Sequence, residues 1–213
     1  VRQAQVRYTN GGFSIALENP ETTLINGASS DRGALPDLTA RYNWKGDWGS
    51  FGVGAIVRQL KVDRTVGGIA YDSDAFGGGV TLGGRWAMNP SNSLHYQLSA
   101  GEGIARYIGL GITGDATLDP ARDDLDATGV LAGFVGWRHN FNAKTRTNLV
   151  YAFSQYDNPD FAGLGVTKGV NSIRGNIFYS PVPKVDVGAE LMYGVREIEN
   201  GRRGDIRRIQ FTT

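Results

Sequence analysis

The sequence predicts an all-β chain over residues 1–213, a transmembrane antiparallel β-barrel with about eleven strands, and three observations predict it. Apolar and polar residues alternate with period two through most of eleven segments, the connections between segments alternate in length, and aromatic residues gather near the segment ends. Period two places successive side chains on opposite faces of an extended strand, so an alternating segment separates two unlike environments. Short turns at one end and long loops at the other mark bacterial transmembrane barrels. Rings that are apolar in body and polar at one edge settle at membrane–water interfaces.

Composition is consistent with this. The 213 residues include 31 glycines, 7 prolines and no cysteine, with 40% hydrophobic residues, 22 basic against 21 acidic side chains and a net charge of +1. A disordered chain would be less hydrophobic and more highly charged. The longest apolar run, 130–137, falls far short of the ~20 residues that a transmembrane helix needs. Lack of cysteine excludes a disulfide framework and Cys-based zinc or redox sites, and is at home in a bacterial envelope. The chain starts at Val1 without a signal-type segment, so a processed or truncated N-terminus is expected.

The strands follow in order. In 3–8, Ala4, Val6 and Tyr8 alternate with Gln3, Gln5 and Arg7, and 13–17 repeats the pattern. In 38–45, Leu38, Ala40, Tyr42 and Trp44 take one face and Thr39, Arg41, Asn43 and Lys45 the other. A helix would scatter both sets. Similar alternation runs through 51–57, 76–88, 94–100, 145–153, 172–179, 185–195 and 206–211, whereas 130–139 is apolar on both faces and is assigned from its flanks. Short turns are expected at Gly11-Gly12, Lys45-Gly46-Asp47, Asn89-Pro90-Ser91-Asn92, Asn142-Ala143-Lys144 and Pro181-Val182-Pro183, all suited to tight reversals. Long polar connections are expected at 20–37, 61–74, 109–128, 157–169 and 197–205. Trp44, Trp48, Trp86, Trp137, Phe141 and Tyr179 flank the short turns, while Phe76, Tyr156 and Tyr193 lie toward the long loops, as two aromatic girdles would.

If the apolar faces meet lipid, parity turns Arg7, Arg41, Lys45, Arg58, Arg85, Arg146, Arg174, Arg196 and Arg208 inward, against three inward acids, Glu18, Asp186 and Glu190. Most carboxylates, among them Asp31, Asp115 and Asp124, fall in the long loops. A wall with that imbalance concentrates anions, and arginines hold carboxylates through paired donors. The alternative is that loop carboxylates fold inward and neutralise these arginines. Parity fails at one place: the register of 94–100 would point Glu102 and Arg106 at lipid, so a bulge near Gly101 and Gly103 is expected to turn Arg106 inward.

Catalytic signals are poor. Gly109 to Gly114 matches G-x-G-x-x-G, but no helix follows as a dinucleotide site requires. The two histidines, His95 and His139, lie near short turns, where an interfacial polar role is expected. A hydrolase built from His95, Ser99 and a lumen acid has no spacing in its favour. Metal ligands are not clustered, and no cofactor is called for. Arg202-Arg203 and Arg207-Arg208 lack the stacking platform and basic domain of a nucleic-acid site.

The stretches 13–22, 101–108 (Gly-Glu-Gly-Ile-Ala-Arg-Tyr-Ile) and 207–211 (Arg-Arg-Ile-Gln-Phe) resemble segments of the DcaP-type porins of Gram-negative outer membranes, and the likeness corresponds to the C-terminal part of such a porin. The resemblance implies a sixteen-stranded barrel, a homotrimer, and diffusion of small anions, dicarboxylates in particular, through an arginine-lined constriction. It would place Arg106 at the pore with Arg41, Arg58, Arg85 and Arg174. This sequence lacks the preceding strands, the N-terminal coiled coil and a terminal aromatic, ending at Thr212-Thr213. The expectation is therefore a barrel incomplete at both ends, its first and last strands not closing on each other, with a related and smaller barrel as the alternative, that serves as a passive anion-preferring channel in outer-membrane lipid and not as an enzyme. A structural or adhesive barrel with a plugged lumen is the alternative. Small inward residues such as Gly52, Gly54, Gly77, Gly79 and Gly83 favour an open bore.

Overall fold

The computed structural model of the chain describes residues 3–25, 33–66, 68–109, 111–119 and 121–213; Asp31, Leu110 and Pro120 lie outside them. Eleven strands form one antiparallel sheet: β1 (Gln5–Asn10), β2 (Phe13–Glu18), β3 (Asp37–Gly46), β4 (Gly49–Val66), β5 (Ile69–Asn89), β6 (Asn92–Glu102), then β9 (Gly129–Asn140), β10 (Thr145–Asp157), β11 (Thr167–Tyr179), β12 (Val187–Ile198) and β13 (Arg203–Thr212). Between β6 and β9 are inserted a short helix α1 (Ala105–Ile108) and a two-stranded hairpin, β7 (Ala116–Asp119) and β8 (Asp124–Ala127). Each strand of the large sheet pairs with its neighbour in sequence, and β6 pairs with β9 across the insert. Among the described residues β1 and β13 pair on one side only, so the sheet is open. No helix in the described residues is long and apolar enough to cross a membrane.

Every predicted strand overlaps one strand of the large sheet, and register carries the apolar face across it: Leu38 opposes Val57, Val53 opposes Leu82, Leu82 opposes Leu98, and Trp137 opposes Leu149. These side chains are exposed, Val57 and Val80 by 57% and 59%, so this sheet shows its most apolar surface outward. Trp44, Trp86, Trp137 and Tyr179 lie on that face near the short turns, all exposed. Trp44 contacts Tyr42 and Phe51 at ring separations of 4.5 and 5.7 Å.

Four expectations are corrected. The span 61–74 is no loop, because β4 and β5 stay paired from Gly49 and Trp86 to Val66 and Ile69. Charges at Lys61, Asp63, Asp72 and Asp74 on one face hid the period-two apolar set Leu60, Val62 and Tyr71 on the other. The connection 197–205 is likewise a short turn between β12 and β13, which pair from Glu197 and Arg203 onward. Tyr156 belongs to no girdle; it is 5% exposed and packs inside against the helix. Finally, β6 holds register with β5 to Glu102 without the expected bulge there. The strand ends instead at Gly103, whose φ of 67° suits glycine, and the chain turns directly into α1.

Two apolar clusters seat the insert. Leu24, Leu60, Val62 and Tyr71 enclose Ala116, Leu118 and Leu125 of the hairpin, while Ile104 and Ala105 pack on Val130, Ala132, Tyr156 and Ile56. The insert touches both β2, through Tyr107 and Glu18, and β10, through Tyr156. Those strands are six positions apart in the sheet, about 29 Å if it were flat at ~4.8 Å per strand. The sheet is therefore strongly curved, with the insert on its concave face.

Candidate functional site: the concave inner face

The concave face is built by the residues of opposite parity to the exposed apolar set. Arg7, Arg41, Lys45 and Arg85 come from β1, β3 and β5, Arg146 and Arg174 from β10 and β11, and Arg196 and Arg208 from β12 and β13. The structure divides the predicted arginines into three groups.

Arg58 and Arg106 belong to a buried polar cluster that joins the insert to the wall. Arg58 is 1% exposed; its guanidinium lies 3.3 Å from Asp37 and 3.2 Å from Asp115, and donates to the carbonyl oxygens of Gly103, at 2.9 Å, and Glu21. Arg106 turns inward as expected, is 8% exposed, pairs with Glu21 at 3.3 Å and donates to Gln3. Tyr107 is flanked by both guanidiniums, each 5.4 Å from its ring centre, and its hydroxyl donates to Asp37 at 2.7 Å. Burial first, and that bond to a carboxylate second, push the Tyr107 phenol above its ordinary range, so it remains a donor. For these two arginines the loop carboxylates do fold inward.

A second group is tied at the wall itself. Arg146 forks onto Asp186 at 3.0 and 2.7 Å near the short turn 180–186. That bond, with one from Ser180, holds the Asp186 carboxyl down at about 2. Arg208 lies 3.7 Å from Glu190, and Arg196 donates to the Thr167 hydroxyl at 3.0 Å.

The third group, Arg7, Arg41, Lys45, Arg85 and Arg174, has no carboxylate within ion-pair distance among the described residues, and all five are exposed. Two hollows that share Ser14, Arg41, Asn43, Gly54, Thr81 and Gln97, of about 380 and 790 Å³, are lined by three of the five, Arg7, Arg41 and Lys45. Gly52, Gly54 and Gly83 line the larger hollow. Gly79 lines the smaller hollow and also makes room for packing, since a Cβ there would lie 2.5 Å from Ile104, while a Cβ on Gly77 would lie 2.8 Å from the Glu102 carbonyl oxygen. Glu18, the acid in the smaller hollow, accepts from Thr39 at 2.9 Å and also from Gln3.

Sequence reasoning missed Arg138 and expected an interfacial place for His95, whereas both belong to this face. Arg138 opposes Ser93, and His95 opposes Arg85, so both face inward; counting parity back from Trp137 would have found Arg138. His139 shares the face of Trp137 near the short turn, stacked on it at 5.5 Å and bonded to Asn92 at 2.9 Å. His95 bonds to Ser93, while Ser99 bonds to Thr81 and Gln97, so these contacts do not join His95 to Ser99. The segment after Gly114 enters β7, not a helix. Among the described residues no three His, Cys, Asp or Glu side chains converge as metal ligands.

A profile described as DcaP outer membrane protein matches residues 1–213. Among solved structures, the outer membrane channel DcaP of Acinetobacter baumannii is similar at a TM-score of 0.81 and 20% identity, over 98% of this chain and 60% of that one. An anion-selective porin from Comamonas acidovorans is similar at a TM-score of 0.53 and 13% identity, over 97% of this chain and 55% of that one. OmpT of Vibrio cholerae, an outer membrane protein, is similar at 0.50 and 12%, over 99% and 64%. The chain thus spans about three-fifths of the length of the DcaP channel. No curated protein sequence matches it.

Proposed function

Because the chain belongs to the DcaP outer membrane protein family, and so to the outer membrane of a Gram-negative cell, we propose that it forms part of the wall of a porin that passes small anions, dicarboxylates in particular, by diffusion. The observation that carries this reading is the third group of cations, exposed, inward-facing and unpaired among the described residues, of which Arg7, Arg41 and Lys45 line hollows whose one acid, Glu18, is already bonded. Such a surface raises the local concentration of anions, and rings of charged side chains set selectivity at close quarters. The likeness in fold to a porin described as anion-selective supports it. In this reading further strands complete a sixteen-stranded barrel between the edges of β1 and β13, three copies assemble, and Arg7, Arg41, Arg85 and Arg174 read the solute's charge. The family and fold favour a channel over an enzyme.

One observation favours the alternative of a plugged structural barrel: the insert folded onto the concave face. Hollows remain beside it, which favours the open reading. The reversal potential of the full-length protein under a salt gradient decides. Arg41→Glu, Arg85→Glu and Arg174→Glu together should move it from anion toward cation preference. The difference should shrink as salt rises from about 0.1 M to 1 M, where screening shortens from about 10 Å to about 3 Å. An unchanged potential would remove these arginines from the conducting path.

A further inference from the structure

Asp115 belongs to a connection, yet it is fully buried and its carboxylate ties three segments together. Its Oδ1 accepts the Arg106 N–H at 2.8 Å; its Oδ2 accepts the Thr23 N–H at 3.1 Å and the Thr23 hydroxyl at 2.9 Å, and lies 3.2 Å from the Arg58 guanidinium. Backbone bonds run alongside, from Asp115 N–H to Thr23 at 2.7 Å and from Ile25 N–H to Ala116 at 2.9 Å. On its other side the insert is fastened to β11, where the Thr167 hydroxyl donates to the Ile112 carbonyl at 3.1 Å. The insert is thus attached at β4 and at β11 and lies across the concave face between them.

Building on the porin reading, we propose that Asp115 and Arg58 are positioning residues, which seat the insert and thereby set the width of the bore while reading no charge on the solute. Arg58, enclosed by two carboxylates and two carbonyl oxygens, shows no side-chain surface to a solute. Removing one partner of a buried pair leaves the other desolvated and unpaired. The seat therefore depends on both. Local opening of the insert would leave the wall, with its own ladder of hydrogen bonds, intact.

The test uses the full-length protein, scored as folded by heat-modifiable migration. Asp115→Asn should raise single-channel conductance and admit larger solutes, with the reversal potential unchanged. Ala116→Cys, the chain's one thiol at a fully buried position, should react with a water-soluble maleimide at least about tenfold faster when Asp115→Asn is added. A disulfide between Leu24→Cys and Ala116→Cys, residues that form a parallel bridge, should restore wild-type conductance in the Asp115→Asn background. Unchanged conductance and labelling would overturn the proposal, and so would a shifted reversal potential, which would make Arg58 a charge reader. If Asp115→Asn does not assemble, Thr23→Val, which removes one bond to the same carboxylate, should move both readouts in the same direction by less. No current from wild type would overturn the porin reading and the bore claim with it, while the labelling rates would still decide whether Asp115 seats the insert.

Discussion

Gly101 opposes Gly79 where β6 meets β5, and the pair shows how single atoms set the wall. A Cβ on Gly101 would lie 2.3 Å from the Gly78 carbonyl oxygen and 2.5 Å from the Gly79 Cα, both backbone atoms that cannot swing aside. Gly101→Ala should therefore cost about 1 to 3 kcal/mol, as overpacking does, read as a lower unfolding midpoint in detergent. Gly204→Ala, where nothing lies within 4 Å, should leave the midpoint unmoved. The same scale separates the arginines. Identical in sequence, Arg41 and Arg58 differ in what surrounds them: one exposed beside a hollow, the other held by Asp37 and Asp115. Parity along a strand reports which face a side chain takes, but not which distant carboxylate waits there.

At the scale of elements, the outward faces of β5 and β6 carry Val80 and Leu98, 59% and 41% exposed. Val80→Arg or Leu98→Arg should each cost about 2 to 4 kcal/mol if near the midplane of the bilayer, seen as reduced assembly in lipid vesicles; normal assembly of both would count against a lipid-facing role. These strands were legible because each separates apolar from polar surroundings, and that contrast is written locally, residue by residue. The insert was not. Ala116, Leu118 and Leu125 find their partners Leu24, Leu60 and Val62 from 54 to 101 positions away, and no local period records such a pairing. The outer part of the β4–β5 hairpin was hidden for a related reason: its charged face resembles a loop until its other face is seen to be covered.

For the whole molecule, a transmembrane sheet cannot leave backbone donors and acceptors bare in hydrocarbon, where each unsatisfied group costs several kcal/mol. In the barrel proposed above, the edges at β1 and β13 are therefore expected to find partners. In the full-length protein, the amides of Gln5–Asn10 and Arg203–Thr212 should exchange hydrogen as slowly as those of central β10; fast exchange confined to these edges would contradict a closed barrel. The insert has a consequence of another kind, in the order of folding. Its fastenings join residues 92 and 103 positions apart, Thr23 to Asp115 and Gln3 to Arg106, and contacts of such separation form late because chain entropy must first be lost. Strand pairing between neighbours can run ahead without them. The ladder of the wall is thus able to form before the insert is fastened to it.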